Sequence, residues 1–175
     1  MICALRTLLL GFGLLAGSAT AQPDGGLTRL DLRAGLGLGA AGPADFVEAE
    51  AAAMAQSRYL GPFMAEVVGT YGFASQPVRV GDADVVGREV FAIGAGLGIA
   101  RTRGTVQPWA VATVWSQTSL RRLGPAYGLA VGAAVPVSSR LAAYAQVRAM
   151  ASDVRAADAD GSFATTGTIG LRIEP

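Results

Sequence analysis

The chain has 175 residues, enough for one domain, and 51% of them are apolar, which excludes a disordered, highly charged protein. Its formal charge is +1, its cations are all arginines interleaved with acids, and the basic stripe of a nucleic-acid binder is missing. Histidine is absent and Cys3 is the one cysteine, so the commonest general base and metal ligand are gone.

Residues Met1–Arg6, an apolar run Thr7–Ala16 and the small-residue stretch Gly17-Ser18-Ala19-Thr20-Ala21 come in secretory order. We therefore expect a signal peptide over 1–21, cleaved after Ala21, and one domain over 22–175. The apolar run is shorter than the roughly 20 residues of a membrane-spanning helix, and so is the longest later run, Val90–Ala100. From Leu27 onward the pattern changes to alternation. In Leu27–Ala40 the even positions are Leu30, Leu32, Ala34, Leu36 and Leu38, and the odd ones are Arg29, Asp31, Arg33, Gly35, Gly37 and Gly39. A period of two with such unlike sides predicts a strand. The same reading predicts seven more: Phe46–Ala55, Pro62–Ala74, Arg88–Ala100, Val106–Gln117, Ala126–Val135, Arg140–Ala151 and Ser162–Glu174. Each has about the length that a tilted strand needs to cross a bilayer. The fold class expected is all-β, an eight-stranded antiparallel up-and-down transmembrane barrel.

The connections also alternate. Ala41–Asp45, Ser75–Gly87, Thr118–Pro125 and Ser152–Gly161 are the longer set; Gln56–Gly61, Arg101–Thr105 and Pro136–Ser139 are the shorter. Outer-membrane barrels have short periplasmic turns and longer external loops, which puts both termini in the periplasm. Aromatic residues prefer the headgroup level, and Phe63, Tyr71, Phe73, Phe91, Trp109, Trp115, Tyr127 and Phe163 lie near strand ends, where they are expected to form two lipid-facing girdles. Phe46 and Tyr144 share the inward parity.

That inward parity collects Arg29, Asp31, Arg33, Glu48, Glu50, Glu66, Arg88, Arg140, Arg148 and Arg172, with Tyr144, Gln146, Thr166 and Thr168 among them. Buried charges are costly without partners, so these are expected to neutralise one another, Glu48 and Glu50 near Arg33, and Arg140 and Arg148 near Arg172. Eight strands enclose an interior that side chains can fill, which predicts a plugged lumen with at most a narrow pore. The glycine runs at Gly35–Gly39 and Gly94–Gly98 lack the spacing of phosphate-binding loops and belong to the alternation. No cofactor or metal is expected; the acidic pairs Asp82/Asp84 and Asp158/Asp160 lack the later glutamate of a calcium loop. Glu89 is the one charge on an apolar row within a strand.

With its topology, its aromatic placement and the run Gly-Thr-Ile-Gly-Leu-Arg-Ile at Gly167–Ile173, the chain resembles the small eight-stranded outer-membrane barrels of Gram-negative bacteria, the OmpA-like transmembrane domain and the OmpX-like group. It departs from them in ending Arg172-Ile173-Glu174-Pro175 where such barrels end on an aromatic residue. The resemblance implies a structural or surface-interaction protein of the cell envelope and not an enzyme. It also implies outer-membrane lipid, lipopolysaccharide and the insertion machinery as partners. Barrels of this size that act on lipid A use a histidine, which is lacking here. Two other readings stay open on alternation alone: a small-solute channel, and a soluble periplasmic barrel of lipocalin or avidin type with the faces reversed.

Overall fold

The computed structural model describes residues 27–41, 44–57, 59, 61–80, 86–119, 122–152, 154–156 and 163–174. The signal-peptide region and both acidic loop pairs lie outside them.

Among the described residues nine strands form: β1 (Leu27–Ala41), β2 (Ala44–Ser57), β3 (Phe63–Val80), β4 (Val86–Ala100), β5 (Gln107–Ser119), β6 (Arg122–Pro136), β7 (Leu141–Ser152), β8 (Val154–Ala156) and β9 (Phe163–Ile173). All except β8 are barrel staves. Each pairs antiparallel with its neighbour in sequence, β7 pairs with β9, and β9 returns to β1, so the sheet closes without an edge. Closure gives every stave a hydrogen-bonded neighbour on both sides, which a strand surrounded by hydrocarbon requires.

The sidedness is the one that the charged rows predict. Leu36, Leu97, Val131, Val147 and Ile169 point outward and are exposed, whereas Asp31, Arg33, Glu50, Gln146 and Arg148 point inward and are buried. Leu97 is 74% exposed and Arg33 1%, the inverse of a water-soluble barrel's ordering. The reversed soluble reading therefore fails on geometry. Glu89 is exposed opposite Phe73 on the outward row of β4, near the end of the β3–β4 ladder remote from the termini.

At the end of the barrel that carries the termini, the staves join through 58–62, 101–106 and 137–140. Gly61 (φ 60°) and Gly104 (φ 102°) take left-handed conformations in two of these turns, which a side chain would strain. Backbone bonds from Ala100 N to Pro62 O (2.8 Å) and from Arg101 N to Pro108 O (2.9 Å) seal the neighbouring staves.

The other end departs from the expected loop pattern. Only residues 42–43 separate β1 from β2, and only 120–121 separate β5 from β6, because the ladders run on into segments expected to be loops. The long–short alternation is therefore a difference in how far hairpins extend. The longest extension is that of β3, whose register with β4 breaks between Phe73 and Val78 and resumes at Val78↔Gly87. Beyond the break, β3 also pairs with β8 at Val78↔Ala156, Arg79↔Arg155 and Val80↔Val154. Staves β3 and β7 lie on opposite walls, and β8 follows β7 after a single residue, so the β3 extension and the segment after β7 meet over the mouth.

Candidate functional site

The inward rows of β1, β2, β3, β5, β7 and β9 build one polar column along the barrel axis. Near the termini, Arg29 donates from Nε to Asp31 (2.8 and 3.0 Å), from Nη1 to the Thr102 carbonyl (3.0 Å), and pairs through Nη2 with Glu174 at 3.1 Å. Arg172 lies beside the same aspartate, with Nε 3.7 Å from Oδ2, and donates to Gln107 Oε1. One level deeper, Arg33 pairs with Glu66 and donates to Gln146 Oε1 (3.1 Å). Deeper again, Arg148 bridges Glu48 (3.3 Å) and Glu50, and Glu50 also accepts from Gln146 Nε2 (2.5 Å) and the Tyr144 hydroxyl (3.3 Å).

Partners come mostly from across the lumen. The expected neighbour pairing of Glu48 and Glu50 with Arg33 does not occur, because register places Gly37 opposite Glu48 and Gly35 opposite Glu50. Arg33 faces Arg172 directly on β9, so two like charges stand side by side, each balanced from elsewhere: Arg33 by Glu66 on β3, Arg172 by Asp31 two residues along β1. Charges balance within the column, with Asp31, Glu48, Glu50 and Glu66 set against Arg29, Arg33, Arg148 and Arg172. Local dielectric is low in such a space, so an unmatched member would be expensive.

Two expected members do not join the column. Arg88 keeps the inward parity but falls in the register break of β3 and β4 and is exposed. Arg140 lies in the 137–140 turn, where turn geometry and not strand parity sets its direction; it too is exposed.

The girdles need a larger correction. Phe63, Phe73, Phe91 and Tyr127 are exposed on outward rows, and Tyr71 is half-buried on the same row as Phe73. The Phe163 side chain lies outside the described residues. Trp109 and Trp115, however, are buried inside, at 3% and 2% exposure. The cause lies in the neighbouring staves. Trp109 is in register with Gly132, Trp115 with Gly94, and the missing side chains leave room for the two rings. A Cβ at Gly94 would sit 2.6 Å from Trp115 Cδ2, and one at Gly132 would run into Trp109. The rings then serve the cations: the Arg33 guanidinium lies 4.8 Å from the Trp109 centroid and 5.4 Å from that of Tyr144, and Arg148 lies 4.8 Å from that of Trp115. Trp115 Nε1 donates to Thr113 Oγ1 at 2.6 Å, and Trp109 meets Tyr144 edge-on at 5.9 Å. A signal for this was present: Gln107, Thr113 and Gln117 share the tryptophans' parity, while Pro108, Ala110, Ala112 and Val114 fill the other.

Gly94→Val should cost about 1–3 kcal/mol by overpacking, and Trp115→Leu in the same chain should recover part of it. Unfolding midpoints of the single and double variants in vesicles test this; equal midpoints for Gly94→Val and the parent would show that Trp115 does not occupy the glycine's space.

Among solved structures, Neisserial surface protein A is similar with 14% identity and TM-score 0.58, over 83% of this chain and 96% of that one. A de novo designed transmembrane β-barrel is similar at 16% identity and TM-score 0.50, over 83% of this chain and 95% of the design. The fold is that of the small eight-stranded outer-membrane β-barrels. No protein-family profile matches the chain, and no curated protein sequence is detectably similar to it.

Each buried carboxylate described above already accepts from an arginine, and among the described residues no three acids, cysteines or histidines stand together as a metal-ion site. Three buried polar atoms lack a partner among the described residues: Arg33 Nε, Trp109 Nε1 and Thr168 Oγ1. The first two belong to the Arg33–Trp109 pair, in which the guanidinium lies over the indole ring.

Proposed function

We propose that this chain is an integral outer-membrane barrel with a structural or surface-interaction role in the cell envelope, its lumen closed by the arginine–carboxylate column. The observation that carries the reading is the pairing of Arg33 and Arg148 with acids across the lumen, inside a wall whose outward rows are apolar. An open pore would need those side chains drawn back to the wall, whereas bonds from β1 to β3 and from β7 to β2 span the space.

Both termini would face the periplasm, because the far-reaching β3 hairpin and the segment after β7 are at the opposite end, and outer-membrane barrels carry their longer excursions outside the cell. Membrane lipid, lipopolysaccharide and the insertion machinery are the partners this placement implies. Catalysis forms no part of the reading: the chain has no histidine, and its buried acids are held by arginines.

A narrow solute path is the second reading. It is favoured by a polar vestibule of about 150 Å³ at the termini end, lined by Arg29, Gln107, Arg140 and Arg172. Planar-bilayer recording separates the two. Silence, or rare small openings, is expected of the closed column; large steady conductance steps would overturn it.

A further inference from the structure

On the outer wall, at the turns that link β4 to β5 and β2 to β3, runs a groove of about 770 Å³. Its floor is apolar: Ile99, Ala110 and Val131 come from the outward rows of β4, β5 and β6, and Pro108 closes its end. Arg101 and Arg103 stand on its rim, both exposed. The left-handed turn at Gly104 lets the Arg101 guanidinium lie close over it, with Nη2 3.8 Å from where a glycine Cβ would be. Neither arginine has a carboxylate partner among the described residues, and the acids nearest this end, Asp31 and Glu174, are already engaged by Arg29 and Arg172.

We propose that this groove is a binding site for a phospholipid with a net-negative headgroup, the phosphate held by Arg101 and Arg103 and an acyl chain lying along Ile99, Ala110 and Val131. The inference rests on the membrane reading above. Two guanidiniums at the edge of an apolar wall supply what such a lipid requires: forked donors for phosphate oxygens and hydrocarbon contact directly beneath. A zwitterionic headgroup brings its own cation, which weakens the attraction, whereas an anionic one keeps its net charge for the arginines. Unpaired juxtamembrane arginines contribute several-fold each to the binding of acidic lipid. The exposed Phe63 on a neighbouring stave marks the same interfacial level.

The test uses the full chain folded in a non-ionic detergent and given equal amounts of phosphatidylglycerol and phosphatidylcholine, with retained lipid counted by native mass spectrometry. The protein should keep the acidic lipid in preference by on the order of tenfold. Arg101→Gln with Arg103→Gln should abolish the preference, and Arg140→Gln, a cation at the same end but in another turn, should leave it intact. Equal retention of both lipids overturns the proposal, and so does a preference that Arg140→Gln removes as fully as the double variant. Heat-dependent migration on gels is read on every sample. A chain that migrates identically boiled or unboiled and stays soluble without detergent defeats the membrane reading, whereas a folded, detergent-requiring barrel that keeps both lipids equally defeats only the lipid site.

Discussion

Arg148→Leu should lower the unfolding free energy in lipid vesicles by about 3–5 kcal/mol, the largest loss expected of any single substitution in the column. Arg148 is the cation of the column that contacts two buried acids, Glu48 at 3.3 Å and Glu50, and its guanidinium also covers the Trp115 ring. Leucine fills part of the volume but leaves two carboxylates facing each other at 5% and 3% exposure with no cation between them. Most of the cost is that orphaned charge and not the lost pair, so a discharged chain should be far less affected. Adding Glu48→Gln and Glu50→Gln to Arg148→Leu should restore much of the stability, since the amide introduced by Glu50→Gln can accept from Gln146 Nε2 through its oxygen and donate to the Tyr144 hydroxyl through its nitrogen. Urea titrations followed by tryptophan fluorescence give the three values. A loss under about 1 kcal/mol for Arg148→Leu would mean that the column is hydrated enough to screen its charges.

The second large effect lies on the other face. Leu97→Arg should cost about 2–4 kcal/mol in a bilayer, because a guanidinium on an outward row must enter hydrocarbon or drag water toward it. Leu97 is 74% exposed and touches no part of the interior, so the same substitution in a water-soluble barrel would be nearly neutral. The comparison isolates the surroundings, since the fold's internal contacts are the same with either residue. Vesicle-based urea unfolding of the variant beside the parent provides the measurement; matching curves would show that this row is not in lipid.

Strand parity was legible because one row of each stave carries charges that have only one tolerable place. Along β1 and β2 the sequence Arg-x-Asp-x-Arg and Glu-x-Glu fixes the inward row without help from any neighbour. Barrel closure followed from eight such segments joined by turns. In β5 the interfacial preference of tryptophan and the inward parity of Gln107 and Thr113 point opposite ways, and parity prevails. Which stave makes room for a ring is a property of the neighbour's register, Gly94 and Gly132 here, and alternation within one strand does not carry it. Salt-bridge partners were less readable for a similar reason. Glu66 and Arg33 are on staves separated by β2 and meet only because the closed sheet turns them to one axis. Arg88 and Arg140 show the limit of a period-two argument at strand ends, where a register break or a turn takes over the direction of the side chain.

The hairpin extensions have no local signal in the sequence. Gly- and Pro-containing stretches such as Ser75–Val80 and Leu123–Pro125 look like loops, yet the β5–β6 ladder runs through Leu123–Pro125 and the β3–β4 ladder resumes at Val78. An already paired hairpin propagates by adding cross-strand bonds one after another, so poor local strand propensity is outweighed once the staves below are locked.

Sidedness is tested most directly by nitroxide labels attached one at a time to cysteines replacing Leu36, Leu129, Val147 and Ile169, in a Cys3→Ser chain folded into vesicles, with Ser139→Cys as the turn reference. All four wall positions are exposed on outward rows of β1, β6, β7 and β9, and Ser139 is exposed in a turn. Relaxation of the four wall labels should be dominated by oxygen, which concentrates in hydrocarbon, and that of the turn label by a water-soluble nickel chelate. Wall labels relaxed by the chelate as strongly as the turn label would place the leucine and valine rows in water and contradict the account.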